Sequence, residues 1–132
     1  MPVSCLIVDD NPAFLEAARV LLEQEGLAVV GVASRSADAL SQAQELRPEV
    51  VLVDIMLGPE SGFELARRLV EDVRDGGSTI LISTHSEADF ADLIADSPAA
   101  GFLPKSELSA SAILRTLNGG SRRAGATGLR GK

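Results

Sequence analysis

The chain of 132 residues contains no tryptophan and no tyrosine, four phenylalanines and one cysteine. Any core must therefore be aliphatic. A disulfide framework or a cysteine-based metal centre is excluded by the count. Long apolar runs are also missing: none approaches the roughly 20 residues of a membrane span. The N-terminus lacks the basic start and long apolar stretch of a secretory signal. The expectation is a cytoplasmic protein with no membrane partner. Lysine is scarce as well, with two Lys against ten Arg. Lys105 is the only lysine before residue 118. A surface cation exchanges freely with Arg, whereas a compact ammonium on a flexible stem suits single-point contact with phosphate. Its isolation marks Lys105 for closer attention.

What is present is acidic and apolar. The hydrophobic fraction is 45 % and the net charge −7. All 19 acidic residues precede residue 118, and the only basic residues beyond it are Arg122, Arg123, Arg130 and Lys132. A body this acidic argues against direct nucleic-acid binding, which needs cationic surface. Cys5 lies in an apolar run and reads as an inert core residue.

Apolar runs alternate with helical patterns along the whole chain. Strands are expected at Val3–Val8, Leu27–Ala33, Val50–Val53, Thr79–Ser83 and Ala100–Leu103. The first helix opens at Asn11-Pro12, with Asn as cap and Pro at the first helical position. Its apolar face reads as Phe14, Ala17, Ala18, Leu21 and Leu22, and Gly26 ends it. Ser36 is expected to cap a second helix that Pro48 stops. Further helices are expected over Gly62–Glu71, Glu87–Asp96 and Ser109–Leu117. Glu23, Gln24 and Glu25 read as a solvated helix end, and Arg67-Arg68 as a surface helix face. Such alternation implies an α/β fold, a parallel sheet covered on both faces. One domain over 1–117 and a disordered basic Gly-rich tail over 118–132 account for the chain, with no room for a second domain.

Open parallel sheets bind ligands beyond the carboxyl ends of their strands. Asp9 and Asp10 follow the first strand, and Asp54 follows the third. Ser83 and Thr84 end the fourth, and Lys105 follows the fifth. Clustered carboxylates repel one another unless a cation joins them. Oxygen-only ligands select a hard ion such as Mg²⁺. One carboxylate could then act as nucleophile toward a phosphoryl group, with hydroxyl and ammonium holding its oxygens.

Val8-Asp9-Asp10-Asn11, Val53-Asp54 with Gly62 eight residues on, Leu81-Ile82-Ser83 and Gly101-Phe102-Leu103-Pro104-Lys105 together resemble the receiver domain of two-component response regulators. The resemblance covers about residues 3–117. It implies a doubly wound, flavodoxin-like sheet of five strands in order 2-1-3-4-5 with five helices. It implies Asp54 as phosphoacceptor, and Asp9, Asp10 and the Met56 backbone carbonyl as partners of Mg²⁺ beside Asp54. The switch hydroxyl falls on Ser83 by ungapped distance from Lys105, with Thr84 next in line, and Phe102 falls at the switch aromatic. Met56 and His85 occupy positions that tune dephosphorylation. The implied partners are a sensor histidine kinase or phosphotransfer protein and a downstream protein, with homodimerisation on phosphorylation as one outcome. The segment Glu87–Asp96, the fifth strand and the last helix fall where the family often builds its output surface.

Two departures concern loops. Gly58 stands where the family commonly has proline, and Ser106 follows the lysine where proline is common. Two other readings are open. One is a receiver-like scaffold that is never phosphorylated. The other is a Mg²⁺-dependent aspartyl phosphohydrolase, which would need a second acid at the place held by Met56. A flavin site is disfavoured, because carboxylates after the first strand would repel the cofactor phosphate.

Overall fold

The computed structural model describes residues 2–73 and 77–118. The tail expected over 118–132 therefore falls outside it, except for Asn118. Five parallel strands form the sheet: β1 (Ser4–Val8), β2 (Ala28–Ala33), β3 (Val50–Asp54), β4 (Ser78–Ser83) and β5 (Gly101–Pro104). Their order is β2-β1-β3-β4-β5, as expected. Helices α1 (Pro12–Gln24), α2 (Ser36–Leu46), α3 (Gly62–Asp72), α4 (Ala91–Asp96) and α5 (110–118) cover it. A two-residue antiparallel ribbon, Met56–Leu57 against Glu60–Ser61, bridges β3 to α3.

The three central strands, β1, β3 and β4, are buried on both faces, whereas Val30 and Val32 of the edge strand β2 are exposed, and alternation along the central strands sorts the core in two. Cys5, Ile7, Val50, Leu52, Ile80 and Ile82 pack with Leu15, Ala18 and Leu22 of α1 and Ile113 of α5. Leu6, Val8, Val51, Val53 and Leu81 pack with residues of α2 and α3. Cys5 is fully buried, and desolvation pushes its thiol up to about 12, as an inert core residue should behave. Among the described residues no helix is long and apolar enough to cross a membrane.

The ends of α1, α3 and α5 follow sequence chemistry, and the start of α2 does not. Asn11 Oδ1 accepts from the Ala13 and Phe14 N–H groups, and Gly26 takes a positive φ of 100° after α1. Ser61 caps α3, and Ser109 Oγ accepts from the Ala112 N–H. Ser36, however, does not cap α2: Arg35 occupies the N-cap without a side-chain bond. The Ser36 N–H is instead satisfied by Glu60 Oε1 at 2.8 Å, reached across from the ribbon. Nor is Glu25 merely solvated, since its Oε1 accepts from the Ala110 N–H at 2.7 Å at the start of α5.

Two faces also differ from expectation. In α1 the buried stripe is Leu15, Ala18 and Leu22, with Phe14 half-buried and Ala17 and Leu21 exposed. Both lines satisfy the helical period, so the choice is made by tertiary packing: Leu15, Ala18 and Leu22 meet Cys5, Ile7, Val50 and Leu52 of the sheet. The single helix expected over Glu87–Asp96 is a 3₁₀ turn (Glu87–Phe90) followed by the six-residue α4. Phe90 and Ile94 reach the core, but Leu93 remains exposed. Arg67 pairs with Glu64 and Glu71, and Arg68 with Asp72, all on the exposed surface as expected.

Candidate functional site

Parallel pairing brings the acid residues together. Strands β1 and β3 run in register as Ile7↔Leu52 and Val8↔Val53. One step further along both strands sets Asp9 beside Asp54. Alternation turns both toward the face shared with α1, because each lies two residues past a side chain of that core layer. The backbone is fastened there: the Asp9 N–H bonds Ala33 O and the Ile55 N–H bonds Ile82 O, each at 3.0 Å.

Asp9 is fully buried and Asp54 is 6 % exposed, whereas Asp10 lies at the surface. Carboxylate oxygens of all three approach within 4.8 Å of one another. Asp9 Oδ1 accepts from the Asn11 N–H at 2.8 Å. Its Oδ2 is buried without a hydrogen bond of normal geometry, although the Lys105 ammonium stands 2.5 Å away. Asp54 Oδ1 accepts from the Met56 N–H at 3.2 Å, and Oδ2 accepts from Lys105 Nζ at 3.1 Å. Burial raises the Asp54 carboxyl above its usual range, reinforced by the charge of Asp9; the Met56 N–H and Lys105 only partly oppose this. Burial alone would lower the Lys105 ammonium, but the two carboxylates outweigh it and hold it above its usual value.

One lysine thus serves two buried acids, and a third carboxylate, Asp10, stands beside them. Three carboxylates against one ammonium leave an excess of negative charge on an all-oxygen donor set, which fits a divalent cation joining Asp9, Asp10 and Asp54. Met56 has an exposed side chain and carries the N–H that bonds Asp54.

The hydroxyl candidates separate clearly. Ser83 is buried at the end of β4, one position past Ile82, which pairs with Asp54. Thr84 is exposed. Ser83 Oγ accepts from the His85 N–H at 2.9 Å and lies 3.4 Å from His85 Nδ1. The imidazole meets Phe90 edge-on at 5.6 Å between ring centres, and Phe90 meets Phe63 at 6.1 Å. Phe102 is half-buried on β5, packed against the layer that holds α2 and α3.

Both departing loops have a defined form. Gly58 has φ 63°, which proline cannot adopt, and a Cβ there would come 3.3 Å from Asp10 Oδ2. Gly62 meets β3 closely: a Cβ would fall 2.1 Å from the Asp54 carbonyl oxygen. Its own N–H bonds Ile55 O at 2.7 Å. After β5 the chain turns through a short 3₁₀ segment, Lys105–Glu107, and no cis peptide occurs among the described residues. One residue at the site escaped sequence reasoning in this role. The ring of Phe14 lies under Lys105 Nζ, 4.4 Å from its centre.

The family model of the response regulator receiver domain matches residues 5–118. Among curated proteins, the chain is 33 % identical over 104 residues to the response regulator GacA of Pseudomonas aeruginosa, covering 78 % of this chain and 48 % of that protein. It spans about half the length of that protein and of a Pseudomonas aeruginosa putative transcriptional regulator that it also matches. Among solved structures, it resembles the signal receiver domain of a modulated diguanylate cyclase from Desulfovibrio desulfuricans G20. There the TM-score is 0.75 and the identity 28 %, over 93 % of this chain and 96 % of that one. It also resembles a response regulator protein from Burkholderia pseudomallei, solved with a phosphorylated aspartic acid, calcium ion and citrate. That match has TM-score 0.76 and 25 % identity, over 98 % of this chain and 75 % of the other.

Proposed function

The chain belongs to the response regulator receiver domain family, and from that premise we propose that Asp54 accepts a phosphoryl group and so switches protein contacts. The observation that carries this reading is the setting of Asp54. It is a buried carboxylate between a lysine at 3.1 Å and two further acids whose oxygens lie within 4.8 Å.

An Asp54 carboxylate oxygen attacks the phosphorus of the donor. The donor's P–N or P–O bond breaks, and the electron pair leaves with the donor nitrogen or oxygen. A histidine kinase or phosphotransfer protein supplies phosphohistidine; a small acyl phosphate can replace it. Mg²⁺ held by Asp9, Asp10, Asp54 and the Met56 carbonyl would offset the repulsion between carboxylate and phosphoryl group. Lys105, already at Asp54, neutralises charge that develops on the phosphoryl oxygens. Ser83 is the switch hydroxyl, since it is buried one position past the partner of Asp54, and exposed Thr84 is not. Once Ser83 turns toward a phosphoryl oxygen, it releases the His85 N–H. Met56 and His85 flank the acceptor and tune how quickly water removes the phosphate. The chain acts as a signalling domain without turnover of a separate substrate, and its output is a protein partner rather than nucleic acid.

Incubation with acetyl phosphate and Mg²⁺ should add one phosphoryl mass to the chain. Asp54→Asn should abolish the addition, and chelation of the metal should suppress it. Phosphate still acquired by the Asn variant would refute the assignment. No acquisition by the unaltered chain would favour the scaffold reading.

A further inference from the structure

We propose that Phe14 is a positioning residue for Lys105, its ring face holding the ammonium at the acid cluster while the neighbouring carboxylates change partners. The inference rests on the phosphoacceptor reading of Asp54. Three groups surround Lys105 Nζ: Asp9 Oδ2 at 2.5 Å, Asp54 Oδ2 at 3.1 Å and the Phe14 ring centre at 4.4 Å. The side chain is only 14 % exposed, so the third side of the ammonium has little access to water. A ring face attracts a cation through its quadrupole, more strongly when the cation is partly desolvated.

The value of a ring at this position lies in what it cannot do. Phosphorylation would consume one oxygen of Asp54, and Asp9 would share its charge with a bound cation. Both carboxylate contacts of Lys105 therefore weaken during the reaction for which the lysine is needed. Phe14 has no lone pair to coordinate metal and no group to esterify. Its attraction persists in every state and lets the ammonium swing between oxygens.

The placement follows from the fold. Phe14 is the third residue of α1, and α1 packs on the sheet face toward which Asp9 and Asp54 point. A purely structural role would be filled as well by leucine. A π-face role would not.

The scarcity of lysine makes the test direct, because Lys105 and Lys132 are the only two. In protein labelled with ¹³Cε-lysine, the Lys105 ε-methylene protons should be shifted upfield by the ring current. Phe14→Leu should return them to the ordinary position, and Phe14→Tyr should retain the shift. Binding of beryllofluoride with Mg²⁺ should weaken about five- to tenfold in Phe14→Leu and stay near the unaltered value in Phe14→Tyr. In a Lys105→Gln background, Phe14→Leu should have no further effect. An unshifted Lys105 signal, or an equal loss of beryllofluoride binding in the Lys105→Gln background, would overturn the proposal while the phosphoacceptor reading survived. A shifted signal in a chain that takes no beryllofluoride would overturn that reading and the proposed role together.

Discussion

The carboxyl rim of the sheet and the segment from Glu87 to Asp96 lie side by side yet are built in opposite ways. At the rim, polar side chains are buried and tied: Asp9 and Ser83 are essentially inaccessible, and Asp54 bonds both a backbone N–H and Lys105. In the neighbouring segment no residue is buried, and Leu93 is 52 % exposed. Its helix has six residues and no side-chain cap. The rim is held by the register of three strands, whereas the segment rests on the sheet through Phe90 and Ile94. Elements that move are drawn from the weakly packed end of a structure. A short path links the two regions: Ser83 to His85 by hydrogen bond, and His85 to Phe90 by ring contact.

The largest effect should come from removing the cation of the rim. Lys105→Ala leaves Asp9 and Asp54 facing each other with no counter-charge. It should cost about 3 kcal/mol of unfolding free energy in metal-free denaturant titrations. The same variant should gain more stability from added Mg²⁺ than the unaltered chain does, because a competing positive charge has been removed. A stability equal to the unaltered chain would mean that the rim is less tightly coupled than its distances imply.

A smaller effect concerns pH. The Asp54 carboxyl is raised in the folded state, chiefly by burial and then by Asp9, so the folded chain keeps this proton where the unfolded chain has lost it. Its contribution to stability is therefore fully present below the ordinary carboxylate pKa. It declines as pH rises through the raised folded value. With metal chelated, stability relative to Asp54→Asn should fall over that window. A relative stability that rises there would reverse the sign of the electrostatic argument.

The smallest effect belongs to the segment. Leu93→Ser should change stability by no more than about 0.5 kcal/mol. Hydrogen exchange should release the amides of Ala91–Asp96 by local opening long before those of Val50–Asp54. Equal protection of the two would erase the contrast between the regions.

Most of the acid site was legible because strand ends in a parallel sheet all project to one rim. Asp9, Asp10, Asp54, Ser83 and Lys105 each follow an apolar run, and run boundaries survive errors of a residue or two. The choice of Ser83 over Thr84 was legible only as a distance, and burial now distinguishes the two. Less legible were features that depend on how elements are rotated or bent. The α1 stripe runs through Leu15 rather than Ala17, and the Glu87–Asp96 pattern breaks into two pieces. Glu60 satisfies the Ser36 N–H from a different loop, a contact with no local signature.

By itself, the sequence determined which residues would share the rim. Strand alternation and the parallel order bring Asp9, Asp54, Ser83 and Lys105 to one edge whatever the details of packing. Only the tertiary structure decided how they meet. It put one ammonium between two buried carboxylates and set the Phe14 ring against Lys105. The physical reason is range: periodicity and run boundaries are local properties of a chain, whereas the charge balance of a buried site depends on side chains distant in sequence sharing a few ångströms of space.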